Sequence, residues 1–286
     1  MKIIKYFFEF LIIIILFIIF KILGMKFASN FGSFIGGSFG PFFRSKKKIT
    51  VNIKKALPDT SEKNIEIIAK EMWKNYGRIL SEYVFIKNFR DSVNEKFITV
   101  EGQEILDNIK DSKEPVIFIS GHFNNFELMA MQIEKSGINL AAIYRPLNNI
   151  FLNKIMEKIR KKYICQNQIK KGRSGTRELL EFFKKNYSIA LMIDQRVSEG
   201  IKSDFFGQSA FTTTIPAQLV KKFGCKIIPV YIERIRGSFF KLKIDRPIIY
   251  EKDSSVEKIT LDLNKCLEKM ILNNPSQWIW SHNRWK

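Results

Sequence analysis

The chain has 286 residues, of which 45% are hydrophobic and 26 are Phe; this is enough apolar material for one large core and excludes a disordered protein. Its formal net charge of +20 predicts an anionic partner, which is a nucleic acid, an anionic membrane surface or a phosphorylated substrate. Three separated cysteines and two histidines argue against a disulfide framework and a metal site, so we expect no cofactor, and reduced thiols fit a chain that faces the cytoplasm.

The N-terminal segment, residues 3–24, is mostly apolar, with an uninterrupted apolar run over residues 10–20. That run alone suits a signal-peptide core or a buried helix. Three lysines can extend it by reaching the headgroups with their long side chains: Lys2, Lys5 and Lys21. Because no small-x-small cleavage site follows, we predict an uncleaved membrane anchor over residues 1–24, joined to one domain over residues 25–286.

Positive charge follows this segment closely, at Arg44, Lys46, Lys47 and Lys48. Since basic residues are retained on the cytoplasmic side of a membrane, the body of the protein is predicted to face the cytoplasm. Residues 25–43, rich in Gly, Phe and Ser, either lie along the membrane interface or form a surface helix of the domain.

The body of the chain alternates between strand and helix patterns. Apolar residues three or four positions apart predict helices over residues 49–87, with Ser61 or Asp59 as a cap. Strands are predicted over residues 97–100, 115–120, 140–144, 188–193, 226–232 and 239–244, and helices over residues 103–109, 126–133, 150–160, 176–183, 216–223 and 256–271. Residues 205–207 predict a tight loop, Thr214 a helix cap, and Pro229 an edge strand. The fold class is therefore α/β, with a largely parallel sheet flanked by helices.

The segment 115–127 is a short apolar strand that ends at Gly121 and places His122 where the strand meets a helix. Glu127 follows five residues later, a spacing that puts two side chains of one helix about 140° apart. If His122 lies in the turn and Glu127 in the first helical turn, the carboxylate can orient the imidazole and leave its other nitrogen as a base. Such a pair suits an alcohol that attacks an activated acyl group. The alternative is a packed His beside a solvated Glu.

Other candidate residues also follow predicted strands. Arg145 and Asp194 do so as His122 does, and in parallel sheets functional groups gather beyond the carboxyl ends of strands. The alternatives are a surface ion pair for Arg145 and a turn or cap for Asp194. Arg160 and Arg173 lie in a basic region where guanidinium groups can bind a phosphorylated head group, although most of its lysines can equally form a solvated face.

Five blocks of sequence carry a family resemblance: Gly-His-Phe-Asn-Asn-Phe-Glu at 121–127, Tyr-Arg-Pro at 144–146, Asp-Gln at 194–195, Phe-Phe-Gly at 205–207, and the ending Gln-Trp-Ile-Trp-Ser-His-Asn-Arg-Trp-Lys. In this order they resemble the late acyltransferases of lipid A biosynthesis, the lauroyl and myristoyl transferases of Gram-negative inner membranes. The resemblance extends over essentially the whole chain, including the anchor.

The resemblance implies that His122 is the general base, that Glu127 orients it, and that Arg160 and Asp194 are also functionally important. It implies transfer of a fatty acyl group from acyl carrier protein to a hydroxyl of a phosphorylated glycolipid, the lipid A precursor, at the inner membrane. No Ser or Cys has an evident partnering base, which favours direct transfer without an acyl-enzyme. His282 is interpreted as structural, because its aromatic neighbours suit packing.

Two other functions are consistent with the same residues. The pair His122 and Glu127 also fits an acyltransferase that acts on a lysophospholipid or another glycolipid, although related lysophospholipid transferases often have Asp in place of Glu127. The high positive charge also fits a membrane-tethered nucleic-acid-binding protein. No recognised nucleic-acid motif is present, so a nucleic-acid partner is not expected.

Overall fold

The structure is a computed structural model that describes residues 2–92 and 97–286, except for the side chain of Arg173. Its α-helices over these ranges are α1 (Lys2–Phe39), α2 (Lys46–Ala56), α3 (Glu62–Glu82), α4 (Ile86–Arg90), α5 (Gln103–Ser112), α6 (Glu127–Lys135), α7 (Ile150–Tyr163), α8 (Arg173–Lys184), α9 (Ile215–Phe223) and α10 (Val256–Asn273). Its strands are β1 (Ile98–Glu101), β2 (Ile117–Ser120), β3 (Leu140–Tyr144), β4 (Asn167–Lys170), β5 (Ser188–Met192), β6 (Ile201–Phe205), β7 (Gln208–Thr212), β8 (Ile227–Arg236) and β9 (Phe239–Ile244).

Seven strands form one sheet in the order β1-β9-β8-β2-β5-β3-β4, in which only the β8–β9 pair is antiparallel. All four residues of β2 are buried, as expected of a central strand covered by helices on both faces. The predicted α/β fold with a largely parallel sheet is confirmed.

The parallel register brings the ends of β2 and β5 together. Ser120, the last residue of β2, is paired with Met192, the last residue of β5. Two residues beyond the end of each strand, His122 lies beside Asp194. Residues 72 positions apart in sequence thus become neighbours at the carboxyl edge of the sheet.

Helix α1 bends sharply at Gly24, where φ is 74° and ψ is 160°. The segment Lys2–Phe42 is long and apolar enough to cross a membrane, with a mean hydropathy of 2.7 in its most apolar window, and its first part fits a transmembrane helix. That first part also contacts the body of the protein. Asn149 Nδ2 donates to the carbonyl oxygen of Tyr6 at 2.8 Å, Lys21 Nζ lies 5.1 Å from the centre of the Phe85 ring, and Phe20 is fully buried.

The second part of α1 packs on α3 through glycines. A Cβ atom on Gly77 would lie 1.9 Å from the carbonyl oxygen of Gly32, and one on Gly36 would lie 2.2 Å from that of Trp73. Only glycine permits backbones to approach this closely. Residues 25–39 are therefore a helix packed on the domain, while Phe27, Phe34 and Phe39 remain exposed on it, so the predicted position along the membrane interface stays a prediction.

Several local predictions were wrong. Strand β4 and the β6–β7 hairpin were not predicted, because their strands are short and mostly polar. Phe206 and Gly207, expected in a loop before a helix, form the hairpin turn, with φ values of 56° and 68° that suit a two-residue turn. Pro229 lies in the interior strand β8, where its carbonyl oxygen still accepts from Asp245 N at 2.9 Å.

Helix capping was predicted in part. Ser61 caps α3, its Oγ accepting from Asn64 N at 3.3 Å, so Asp59 is not the cap. Thr214 occupies the N-cap position of α9 without a capping hydrogen bond, since its hydroxyl accepts from the side chain of Gln218 instead.

Candidate active site

His122 is held by one carboxylate, that of Asp194. His122 Nδ1 lies 2.8 Å from Asp194 Oδ1, and the backbone N–H of His122 donates to Asp194 Oδ2 at 2.8 Å. Trp278 Nε1 also donates to Oδ2 at 2.8 Å. A Cβ atom on Gly121 would lie 3.2 Å from Asp194 Cβ, so the glycine before the histidine allows the strand ends to come this close.

The electrostatics of Asp194 keep it ionised. Its side chain is fully buried, which alone would raise its pKa, but the attraction of His122 and the hydrogen bonds from His122 and Trp278 outweigh burial and lower the pKa to about 2. An ionised carboxylate accepts a hydrogen bond from Nδ1–H and therefore leaves Nε2 of His122 with its lone pair. The imidazole, 22% exposed, is thus arranged as a base.

The turn that carries His122 is anchored on both sides. The side chain of Asn124 donates to the carbonyl oxygen of Ile232 at 3.0 Å, and that of Asn125 donates to Glu82 Oε2 at 3.3 Å. Glu82 is itself fully buried and paired with Arg234. The two asparagines therefore fasten the turn to β8 and α3 and hold the backbone of His122 in place.

The predicted contact between His122 and Glu127 is corrected by the structure. Glu127 opens α6 and its Oε1 accepts from Arg160 Nε at 2.8 Å and Nη2 at 2.5 Å, while Asp194 occupies the place beside the imidazole. The guanidinium of Arg160 competes for the Glu127 carboxylate, because two buried groups of opposite charge are strongly destabilised when either is left unpaired. The register of β2 and β5 meanwhile brings Asp194 within reach of the ring.

The Glu127–Arg160 pair forms a fixed charged wall of the site. Both side chains are only 9% exposed. Burial would lower the pKa of Arg160, but the attraction and hydrogen bonds of Glu127 raise it overall, so the guanidinium stays charged. Its Nη1 is buried and has no hydrogen-bond partner in the described part of the chain, and the guanidinium carbon lies 5.6 Å from the centre of the Tyr144 ring. Arg160 therefore places a buried positive charge in the wall of the cleft, and its binding of a phosphate group stays a prediction.

These groups line one cleft of about 410 Å³. Its lining includes His122, Glu127 and Arg160, together with apolar side chains such as Phe126, Ala130, Ile143, Ile164 and Leu191. Arg145 and Lys171 also line the cleft; both are exposed and have no ion pair among residues 2–92 and 97–286. The cleft thus combines a base, an apolar wall and exposed cations.

The remaining predicted residue, Arg173, is the first residue of α8, and its side chain lies outside the described part of the structure. A larger groove of about 750 Å³, between β9 and α10, contains none of the predicted site residues. Within the described ranges no group of three or more His, Cys, Asp or Glu side chains is arranged to hold a metal ion.

Sequence reasoning missed three residues of the site: Trp278, which binds Asp194; Gln195, whose Nε2 lies 3.4 Å from both ring nitrogens of His122; and His282, which lines the same cleft. The signal that could have found two of them is the density of Trp and His in the last block of the chain, which was interpreted as packing.

The structure places a carboxylate-held imidazole at the carboxyl edge of a parallel sheet, an arrangement typical of enzymes that use a histidine as a base. Comparison with known proteins gives the family. Residues 1–286 match the family model of bacterial lipid A biosynthesis acyltransferases, and the chain belongs to that family, as its sequence blocks predicted.

Individual relatives are similar at low identity. The chain is 22% identical over 246 residues to lipid A biosynthesis acyltransferase 2 of Shigella flexneri, covering 83% of this chain and 76% of the relative. It is 24% identical over 260 residues to the lipid A biosynthesis palmitoleoyltransferase of Escherichia coli K12, covering 89% and 83%. It is 23% identical over 252 residues to the lauroyltransferase of the same strain, covering 85% and 79%.

Proposed function

We propose that this protein transfers a fatty acyl group from acyl carrier protein to a hydroxyl of a phosphorylated lipid A precursor, at the cytoplasmic face of the inner membrane. The observation that carries the proposal is the pairing of His122 Nδ1 with the buried Asp194 in a cleft that is partly apolar and partly cationic. Family membership supports the acyl transfer and the lipid A acceptor.

In the proposed mechanism His122 Nε2 takes the proton of the acceptor hydroxyl as the oxygen attacks the thioester carbonyl. Asp194 stabilises the imidazolium that forms, because a buried anion next to the ring favours its charged state. When the tetrahedral intermediate collapses, the carbon–sulfur bond breaks and the proton passes from His122 to the departing thiolate. Products are the ester and the free thiol of the carrier, so atoms and charge balance.

Direct transfer, without an acyl-enzyme, is supported by the composition of the cleft. None of the residues that line it is a Ser, Thr or Cys. Burial raises the pKa of the Cys165 thiol to about 12, which makes it a poor nucleophile. The attacking group is therefore the hydroxyl of the acceptor itself.

The charged residues have separate proposed roles. Glu127 positions Arg160, whose remaining Nη1 donor supplies fixed positive charge within the cleft wall. Arg145 and Lys171 bind the phosphate groups of the acceptor, and Arg173, at the start of α8, remains a predicted contributor.

The test is product analysis with full-length protein purified in detergent. It is supplied with a panel of acyl carrier protein thioesters and either a phosphorylated lipid A precursor or a lysophospholipid, and products are identified by mass spectrometry. We expect acylated lipid A precursor with the wild type and none with His122→Asn, whose amide keeps a donor near Asp194 but has no basic nitrogen. Acylation of the lysophospholipid alone, or undiminished activity of His122→Asn, would reject the proposal.

The phosphate-binding residues are tested with the same assay. Arg145→Gln combined with Lys171→Gln is expected to raise KM for the phosphorylated acceptor and to weaken its dependence on salt, because exposed cations act through screened attraction. Lys184→Gln combined with Lys185→Gln, which also removes two charges but at the far end of α8, serves as the control. Equal KM values for all three proteins would contradict the assignment.

A further inference from the structure

His282, the second of the two histidines, lines the same cleft as His122. Its Nε2 accepts a hydrogen bond from the backbone N–H of Arg196 at 3.1 Å. A backbone N–H can only donate, so Nε2 must carry a lone pair. In the neutral ring the proton therefore resides on Nδ1, which has no hydrogen-bond partner among residues 2–92 and 97–286.

Several charged groups act on this ring, and together they keep it neutral. Burial is the main cause that lowers the pKa of His282, to about 4. Repulsion from His122, Arg284 and Arg44 lowers it further, and only the attraction of Asp194 opposes them. At neutral pH the imidazole consequently has a single proton, and the hydrogen bond from Arg196 determines which nitrogen carries it.

The turn after β5 thus holds both histidines in the same tautomer, with the proton on Nδ1, but it engages a different nitrogen of each ring. Asp194 accepts from Nδ1 of His122, and Arg196, two residues later, donates to Nε2 of His282. His122 is left with a lone pair and His282 with an N–H. His122 as a base and His282 as a neutral hydrogen-bond donor therefore line one cleft. The hydrogen bonds of residues 194–196 determine which ring nitrogen of each histidine is protonated.

The backbone of His282 is itself well anchored. Its carbonyl oxygen accepts from Asn52 Nδ2 at 2.8 Å and from Arg284 N at 3.1 Å. Asn52 is buried and lies on α2, far from the C-terminus in sequence. A donor held this firmly undergoes little reorganisation when charge develops on a substrate, which is the requirement for stabilising an oxyanion.

We propose that His282, through Nδ1–H, donates a hydrogen bond to the carbonyl oxygen of the acyl thioester and stabilises the oxyanion that forms as the acceptor attacks. A neutral imidazole suits this task, because it polarises the carbonyl without giving its proton to His122 or to the departing thiolate. The assignment depends on the proposed acyl transfer for its substrate. The tautomer of His282 does not depend on it.

The first test reads the tautomer directly. Because the chain has only two histidines, selective ¹⁵N labelling of His gives resolvable ring signals in detergent, assigned with the His282→Asn variant. We expect His282 to show a protonated Nδ1 and an unprotonated Nε2 from neutral pH to about pH 5. A His282 ring protonated on Nε2, or doubly protonated at neutral pH, would overturn the proposal.

The second test separates oxyanion stabilisation from packing. His282→Ala should lower kcat by about 10²–10³-fold with little change in KM, as removal of one oxyanion donor does. His282→Asn keeps an amide N–H near the position of Nδ1 and should recover part of that loss. Asn283→Ala, which changes the adjacent residue outside the cleft, is the control and should match the wild type.

The outcomes distinguish the two proposals. If the wild type acylates no lipid A precursor, the proposed function fails, whatever the tautomer of His282. If the wild type is active and His282→Ala retains its kcat, only the role of His282 fails. A loss of activity in His282→Ala that is accompanied by a raised KM and is not improved by Asn would assign the residue to packing and would also overturn the proposal.

Discussion

We predict that the substitution Asp194→Asn moves the proton of His122 from Nδ1 to Nε2. The reason is the set of hydrogen bonds that the Asp194 carboxylate accepts. Two donors, the backbone N–H of His122 and Trp278 Nε1, both point at Oδ2. The side-chain oxygen of Asn must take that position, so its NH₂ group faces His122 Nδ1. An NH₂ group cannot accept, so Nδ1 becomes the acceptor and the proton moves to Nε2, where the base was.

The size of the effect follows from the cost of restoring the active tautomer. Rotating the Asn amide turns its NH₂ group toward two buried donors and leaves them unsatisfied, at about 1–3 kcal/mol each. The total of about 2–6 kcal/mol corresponds to a decrease in kcat of roughly 30-fold to 3 × 10⁴-fold. The fold should be retained, since Asn and Asp have the same shape.

The assay is kcat at saturating acyl carrier protein thioester and acceptor, with thermal unfolding to confirm that the variant is folded. Selective ¹⁵N labelling of His supplies a second readout, in which the protonated nitrogen of His122 should change from Nδ1 to Nε2. A folded Asp194→Asn protein with kcat within tenfold of the wild type, or with an unchanged tautomer, would show that the Asp194 carboxylate does not determine where His122 carries its proton.

Three further substitutions or conditions test other parts of the molecule. Glu127→Gln leaves the buried Arg160 charge without its counter-charge and should destabilise the protein by about 3–5 kcal/mol in chemical denaturation. The double variant Glu127→Leu, Arg160→Met should regain most of that loss. Equal denaturation midpoints for the single variant and the wild type would contradict the pairing. Gly77→Ala should lower the free energy of unfolding by about 1–3 kcal/mol, because its methyl group would lie 1.9 Å from a backbone oxygen. Gly37→Ala, whose methyl group meets only a flexible lysine side chain, should be tolerated. Similar stabilities for both variants would show that α1 and α3 can separate freely. The pKa of Asp194 falls from 3.8 to about 2 on folding, which contributes about 2 kcal/mol to the free energy of unfolding. This contribution is complete above pH 3.8 and is lost as the pH falls through about 2. If the stability difference between wild type and Asp194→Asn were already lost near neutral pH, the hydrogen bonds and charge attraction at Asp194 would not be its cause.

Much of the fold could be predicted from the sequence because its strands are short apolar runs and its helices have clear apolar periodicity. The buried strand β2 and the helix α6 after it showed that His122 lies at a corner. The hairpin β6–β7 lacked such a signal, since its strands are exposed in part and its turn depends on positive φ at Phe206, a residue that seldom adopts it.

The partner of His122 could not be predicted, because it depends on strand register and on competition. Sequence spacing favours a local carboxylate, Glu127, but register brings Asp194 from 72 residues away, and Arg160 engages Glu127. Trp278 enters the site through an indole N–H, and nothing in its sequence neighbourhood separates that role from packing. Which of several chemically suitable side chains meets another is decided by tertiary structure.

The glycine crossing of α1 and α3 has a mechanical consequence. At Gly32 and Gly77 no side chains separate the two backbones, so no side chain can rearrange to accommodate a change in the crossing angle of α1 and α3. Asn149 and the buried Phe20 fasten the more N-terminal, apolar part of α1 at two further points. A bilayer that accommodated the first part of α1, which is long and apolar enough to cross one, would therefore set the height and tilt of the cleft relative to the lipid surface.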